Sequence, residues 1–221
     1  RVAYEAGITA EFLPEFDACM ETPQNTPHHC YTVGERILHS LDYVRADRVL
    51  RITMLLHDIG KPVVRKTDEN GRDHFKTHGD AGEKMAGQIL RSLKFDNDTI
   101  RRVTRLVKWH DDRPEGSMRS VRRAVNRIGE DLFPYYLEVQ EADMLAQSAY
   151  RREEKQERLM QLKDYDTYLA GLKEEIARTK KVLEKQSSEV SAMRKEAAER
   201  LTAAVTQALL DLNFLDVRFT M

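Results

Sequence analysis

The sequence is poor in cysteine, has no long apolar run, and carries no excess of charge of either sign. Two cysteines in 221 residues, Cys19 and Cys30, make no disulfide framework and read as reduced thiols of a cytoplasmic protein. No apolar stretch approaches the roughly 18 residues needed to cross a bilayer, so neither a transmembrane helix nor a membrane partner is expected. The 36 Lys/Arg against 37 Asp/Glu leave a net charge of −1, and 41% of residues are hydrophobic. That balance excludes a disordered charged tail, a collagen-like chain and a low-complexity chain. No signal-peptide pattern opens the chain, and Arg1 is not a natural start residue, so a missing upstream segment is expected.

What is present is unevenly spread. All six prolines lie at or before Pro134, all seven histidines at or before His110, and only Gly171 interrupts the stretch after Gly129. Residues 151–200 hold 13 Lys/Arg and 11 Asp/Glu, so nearly half of them are charged. The chain reads as two parts, 1–150 and 151–221.

The first part reads as short helices separated by turns. Val33, Ile37, Leu41 and Val44 recur at helical spacing, followed by Val49, Ile52 and Leu56. Gly60 and then Pro62 are expected to stop that second helix. Thr67 to Arg72 is a polar loop. A helix from about Gly79 to Leu93 turns Ala81, Met85 and Ile89 inward. Asp96 or Asn97 can cap the next, with Ile100, Val103, Leu106 and Val107 inside. Ser117 opens a further helix, and Asp131 to about Gln147 supplies the last. Without period-two alternation, this part is expected to be all-α and compact, with Trp109 in its core.

The most specific local feature is Leu55-Leu-His-Asp-Ile-Gly-Lys61. His57 and Asp58 place an imidazole and a carboxylate at a helix C-terminus, where the backbone dipole also favours a cation. At about 100° per residue, His78 shares a face with Gly82, Met85 and Ile89. His110 likewise shares one with Ile100, Val103 and Leu106 or Val107, and Asp143 with Tyr136, Val139 and Ala146. Each is a satisfied core residue if taken alone. Burying several polar groups together is costly unless they satisfy one another or bind a common ion.

These residues carry a resemblance. Residues from about 10 to 148 resemble the HD-domain superfamily of metal-dependent phosphohydrolases, and within it the HD domain of bacterial CCA-adding tRNA nucleotidyltransferases and poly(A)-polymerase-like relatives. The matching stretches are Phe12-Leu-Pro-Glu15, Gln24-Asn-Thr-Pro-His-His29, Tyr31-Thr-Val-Gly-Glu35, Leu55 to Pro62, His74-Phe75, His78-Gly79, Phe95 to Ile100 and Ala142 to Gln147. The resemblance implies a compact HD helical bundle. It makes His57 and Asp58 the name-giving metal ligands and Asp143 the closing one, with His78 and His110 for a second ion. Asp58 and Lys61 would be catalytic, Lys61 as the phosphate-neutralising group. A divalent ion held by such a mixed set would be manganese, iron, nickel, cobalt or zinc rather than calcium. It would lower the pKa of a bound water and polarise a phosphoryl group.

One position departs from the pattern. Where the family places its first ligand histidine, Val33-Gly-Glu-Arg-Ile-Leu38 has Arg36, whose guanidinium cannot ligate a metal. His39 lies on the opposite side of that helix, and His29 remains a substitute. A degenerate site, an altered ligand set and a phosphate-binding Arg36 all fit the sequence.

Residues 91–127 hold 11 Lys/Arg against five Asp/Glu. Arg101, Arg102, Arg105, Lys108, Arg122 and Arg123 are candidates for RNA phosphate contacts, against the alternative of solvated helix faces.

The tail differs. Leu162, Leu169, Ile176, Leu183, Val190, Ala197 and Ala204 fall seven apart, as a coiled-coil seam requires, but the second column is poor. It reads either as a solvated helix or as half of a coiled coil that self-associates through 159–212. Residues 214–219 alternate as a short orphan strand. Residues 151–221 resemble part of the RecN DNA-repair ATPase, through Leu162 to Asp166, Arg194 to Thr202 and Leu209 to Phe219. The implied reading is a join of two fragments near Tyr150-Arg-Arg-Glu-Glu-Lys155. The chain carries neither nucleotidyltransferase nor ATPase motifs.

The expected function is therefore that of a metal-dependent HD phosphohydrolase from a tRNA-nucleotidyltransferase-like protein, acting on a phosphoester, nucleotide or RNA substrate. The alternatives are a non-catalytic RNA-binding body with a degenerate metal site, or a structural fragment of a repair ATPase.

Overall fold

The computed structural model describes residues 1–25, 31–115, 117–147 and 152–212. His29, Cys30, the 214–219 strand and the start of the inferred join at Tyr150 lie outside these residues. The helices are α1 (Val2–Glu5), α2 (Thr9–Phe12), α3 (Pro14–Glu21), α4 (Val33–Ser40), α5 (Arg48–Leu56), α6 (Lys61–Val64), α7 (His78–Ser92), α8 (Asn97–Trp109), α9 (Met118–Ile128), α10 (Phe133–Leu145) and α11 (Arg152–Asp211). The fold is all-α, with one two-stranded antiparallel pair among the described residues, β1 (Lys66–Thr67) and β2 (Asp73–His74).

Local sequence fixes most helix starts. Thr32 and Glu35 cap α4 reciprocally, the Glu35 N–H donating to Thr32 Oγ1 and the Thr32 N–H to Glu35 Oε2. Asp47, Asp96 and Ser117 each accept from a backbone N–H three residues on, which starts α5, α8 and α9. The expectation at Gly60 and Pro62 is corrected. Helix α5 ends at Leu56, Gly60 has right-handed φ −80°, and Pro62 lies in the first turn of α6, where its missing N–H costs nothing. Trp109 is half-buried rather than core, at the edge of the fold where Lys108 and Arg127 lie over its ring at 5.7 and 5.2 Å.

The core is contiguous across α4, α5, α7, α8 and α10. Ile37, Leu50, Met54, Leu90, Leu106 and Tyr136 are fully enclosed, and Val44, Leu50 and Met54 pack against Val139 and Ala142. Helix α7 runs along α8, and α5 is held between α8 and α10. This arrangement turns the C-terminal ends of α5 and α8 toward the inner face of α10.

The β1–β2 pair is stapled by Asp73. Its carboxylate accepts from Arg65 Nε and NH2 at 2.9 and 3.2 Å, from Thr67 Oγ1 at 2.7 Å and from the Asn25 N–H at 2.9 Å. Burial alone would raise its pKa, but Arg65, Asn25 and Thr67 draw it down to about 2. The stability this adds is present above the unfolded carboxylate pKa and lost as pH falls toward 2. Asp73→Ala is expected to cost about 1–3 kcal/mol, because Arg65, Thr67 and Asn25 lose a charged acceptor. Urea denaturation at pH 7 measures it, and an unchanged midpoint contradicts the staple.

The chain divides into two units, Arg1–Thr167 and Tyr168–Met221. In the first, residues 152–167 of α11 bury Leu159 and Leu162 and set Lys163 on Glu141 at 2.8 Å. In the second, Ile176, Leu183 and Val190 of the seven-residue column are exposed. No helix among the described residues is long and apolar enough to cross a membrane.

Candidate metal centre

Four segments converge on one buried cluster. Helix α5 ends just before His57 and Asp58, α8 ends just before His110, α7 begins at His78, and α10 carries Asp143. His57 and Asp58 have no solvent exposure, and His78, His110 and Asp143 are buried. The structure thus brings together all five ligand candidates read from the sequence. Lys61 joins them at the first turn of α6, its Nζ 2.9 Å from Asp58 Oδ2 and 2.9 Å from Gln24 Oε1.

The three histidines are anchored alike. Nδ1 of His57, His78 and His110 lies 2.7 Å from the carbonyl oxygens of Met54, Phe75 and Val107, each three residues back. A carbonyl only accepts, so each Nδ1 carries its proton and donates. In the neutral ring Nε2 is then an acceptor aimed inward, which is the orientation metal-binding histidines adopt. Thr77, at φ 68°, opens α7 in the left-handed region that a β-branched residue seldom enters. This strained entry lies directly before His78.

Arg36 fills one side of the cluster. It is 3% exposed, its NH1 donates to Asp58 Oδ2 at 2.7 Å, and its NH2 donates to Asp143 Oδ1. His57 Nε2 faces the same two oxygens at 3.2 Å each, without a well-aligned hydrogen bond to either. Burial opposes every charge here. Asp58 and Asp143 are nevertheless held well below the ordinary carboxylate range, Asp58 by Arg36, His57 and Lys61, and Asp143 by Arg36 and His57. The same two carboxylates lift the His57 ring to about 9.

The other side is different in kind. His78 Nε2 and His110 Nε2 lie 3.1 Å apart, and Asp58 Oδ1 is 3.6 and 3.5 Å from them. Among the described residues, buried Asp58 Oδ1 has no hydrogen-bond partner. Burial, then the nearby His110, push the His78 ring down to about 4, so it stays neutral. Two imidazole lone pairs and an orphaned carboxylate oxygen converge without a donor among them. This donor set fits a cation: the nitrogens are close enough for one ion to bind both at about 2.1 Å.

A cleft of about 330 Å³ opens over this half, walled by Lys61, Arg72, Phe75, Lys76, His78, His110 and Arg113. Behind Asp143, Gln147 Nε2 donates to its Oδ2 at 2.9 Å, and Lys155 Nζ donates to Gln147 Oε1 at 2.7 Å. Gln24, Gln147 and Lys155 were not among the sequence candidates. Gln147 carried a signal, since it follows Asp143 by four residues, the spacing of about one helical turn, although α10 itself ends at Leu145.

The basic candidates do not enter the cluster, and several are engaged elsewhere. Arg101 pairs with Asp98 and Asp131, Lys108 with Glu83 and Asp80, and Arg105 donates to the Arg127 carbonyl. Arg102 lies 4.7 Å over the Tyr135 ring. Arg122 and Arg123 are exposed on α9, and Arg123 lines a second cleft with Arg113, Arg119 and Arg127.

The profile of the HD domain matches residues 28–171, running past the inferred join at 150–155. A CC-adding tRNA nucleotidyltransferase of Thermus thermophilus is 31% identical over 159 residues, 69% of this chain and 36% of that protein. An A-adding tRNA nucleotidyltransferase of Deinococcus radiodurans is 34% identical over 142 residues, 62% and 32% of the two chains. A bifunctional uridylyltransferase/uridylyl-removing enzyme of Azospirillum brasilense is 28% identical over 128 residues, 48% of this chain and 12% of that enzyme. The chain spans about a third of the length of the two tRNA nucleotidyltransferases it matches.

Proposed function

The chain belongs to the HD-domain family, and from that premise we propose that it is the metal-dependent phosphohydrolase-type body of a cytoplasmic tRNA-nucleotidyltransferase-like protein. The observation that carries this reading is the orphaned Asp58 Oδ1, buried against the inward-facing Nε2 atoms of His78 and His110. These three atoms would hold a divalent ion. When bound, the ion supplies an acidified water and a polarised phosphoryl oxygen. Manganese, iron, nickel, cobalt and zinc all suit the donors.

The chain's own residues do the rest. Lys61 is fixed by Asp58 and Gln24 at the wall of the cleft, where its ammonium neutralises a phosphate oxygen without having to reorganise. Arg72 and Lys76 present further positive charge along the same wall, where Arg113 is paired with Asp111 at 2.8 Å. The carbonyls of Phe75 and Val107 fix the tautomers of the two imidazoles, so Nε2 stays an acceptor. An RNA end or a nucleotide phosphoester is the substrate class that this charge favours.

The test is hydrolysis of p-nitrophenyl phosphate and bis-p-nitrophenyl phosphate by chelator-stripped protein, with and without Mn²⁺. The expected result is turnover that requires the metal and falls at least about tenfold in His110→Ala. No metal-dependent turnover of either ester overturns the enzymatic reading.

A second reading has its own support in Arg36, which already neutralises Asp58 and Asp143, and in the exposed Arg122 and Arg123. It makes the chain a non-catalytic tRNA-binding body. On this reading tRNA binding weakens steeply with salt, and each neutralised phosphate-contacting arginine lowers the salt slope by about one.

A further inference from the structure

We infer that Arg36 is a built-in cation: its guanidinium stands where a divalent ion would sit among His57, Asp58 and Asp143, so the chain's metal capacity is confined to the Asp58–His78–His110 pocket. This rests on the metal pocket proposed above and adds to it a stoichiometry and a residue that sets it.

Two triads of potential ligands share Asp58. One is His57, Asp58 and Asp143, the other Asp58, His78 and His110, and all six participations are buried. The two oxygens of Asp58 divide between them. Oδ2 lies 2.7 Å from Arg36 NH1, 2.9 Å from Lys61 Nζ and 3.2 Å from His57 Nε2. Among the described residues Oδ1 has no hydrogen-bond partner, and the imidazoles of His78 and His110 stand 3.6 and 3.5 Å from it.

The facing carboxylate oxygens of the first triad are already engaged, and its His57 Nε2 faces those same two oxygens. Its carboxylate oxygens, Asp58 Oδ2 and Asp143 Oδ1, are the atoms to which the guanidinium donates, one nitrogen to each. The remaining Asp143 oxygen accepts from Gln147. Arg36 and Lys61 already balance the two carboxylates, so a divalent ion entering there would have to displace the guanidinium from both oxygens at contact distance. Among the described residues the buried Arg36 Nε has no partner, so the guanidinium is held through NH1 and NH2 alone. The second triad shows the opposite pattern: three acceptors, no donor, and an opening to the cleft. Arginine suits the first position because it stays protonated when buried and its planar fork spans two carboxylates, which lysine's point charge does not.

The experiment counts ions. Wild-type protein, stripped with chelator and dialysed against Mn²⁺ or Co²⁺, is analysed for metal per chain, and the Co²⁺ form for its visible absorption bands. One ion per chain is expected, falling to none in His110→Ala. Arg36→His replaces the guanidinium by a ligand and is expected to raise the count to two, with a second set of Co²⁺ bands. The double variant R36H/H110A retains one. Two ions in the wild type, or an unchanged count in folded Arg36→His, overturns the inference.

Should Arg36→His not fold, His57→Gln in the wild-type background decides. The inference gives an unchanged count, and loss of an ion contradicts it. No ion in the wild type with one gained in Arg36→His sinks the hydrolase reading and upholds the role of Arg36. Metal-dependent turnover with two ions in the wild type does the reverse.

Discussion

Arg36→Ala is expected to lower the stability of the first unit by about 3–5 kcal/mol, the cost of removing one partner from a buried ion-pair network. The cause is not the lost attraction alone. Asp58 and Asp143 are buried, and their facing oxygens lie within 4.8 Å of each other and of His57 Nε2. Without the guanidinium, two carboxylates share a low-dielectric site with only Lys61 and the His57 ring to compensate them. Arg36→Lys should recover only part of the loss, since one ammonium cannot bridge both oxygens. The double variant R36A/D143A should cost less than the sum of its singles, as removal of both members of a coupled pair does.

The pH dependence follows from the direction of the carboxylate shifts. Asp58 and Asp143 are held below their ordinary range in the folded wild type, so the stability they confer is present above about pH 4 and lost as pH falls. In Arg36→Ala that support is missing at neutral pH already. The gap between variant and wild type should therefore be wide at pH 7, still largely present at pH 4, and narrow only as pH falls below it. Thermal unfolding across this range measures it, and a shift of about 10 °C or more at pH 7 is expected. A loss below about 1 kcal/mol would mean that the carboxylates find other compensation.

Much of this centre was legible in one dimension because helix geometry converts spacing into direction. Val33 and Ile37 place Arg36 on a buried turn, and Tyr136, Val139 and Ala146 place Asp143 on the inner face of α10. Asp96 and Ser117 were readable as caps, since a side-chain oxygen before an amphipathic run has a local partner three residues on. What the guanidinium does was not legible. The sequence shows that Arg36 breaks a ligand pattern, but the partners that make it a counter-ion lie 22 and 107 residues away. The Asp73 staple was hidden for a similar reason. It joins residue 25 to a pair of two-residue strands too short to show alternation. At Pro62 two rules competed, a stop signal for the preceding helix and a favoured first-turn residue for the next, and the local backbone decided for the second. The seven-residue column after Leu162 was clear as a pattern. A pattern of that kind states what a helix can bury, not whether a partner exists.

Gly60→Ala is the substitution expected to damage the metal pocket most without touching a ligand. Gly60 has φ −80° and ψ −11°, a conformation that alanine adopts freely, so its backbone gives no reason for glycine. The space does. An added Cβ would run into the His78 carbonyl oxygen, and would lie 2.6 Å from the Gly82 nitrogen and 3.2 Å from Ala81 Cβ. None of these is the free end of a side chain, so α7 as a whole must move away from the turn that carries Asp58. His78 moves with it, because its ring is tied to the Phe75 carbonyl next to that helix start. Overpacking of this kind costs about 1–3 kcal/mol. Loss of ligand positioning should weaken Mn²⁺ affinity about 10- to 100-fold, the range seen when a metal site's supporting contacts are removed. Gly71→Ala is the control: Gly71 has φ +72° with nothing within 4 Å of its added Cβ, so strain falls on the loop alone. It should cost about 1 kcal/mol through its left-handed backbone and leave metal affinity unchanged. Equilibrium dialysis of the two variants separates the effects. Wild-type affinity in a folded Gly60→Ala would show that the pocket does not depend on this approach of α7 to the Asp58 turn.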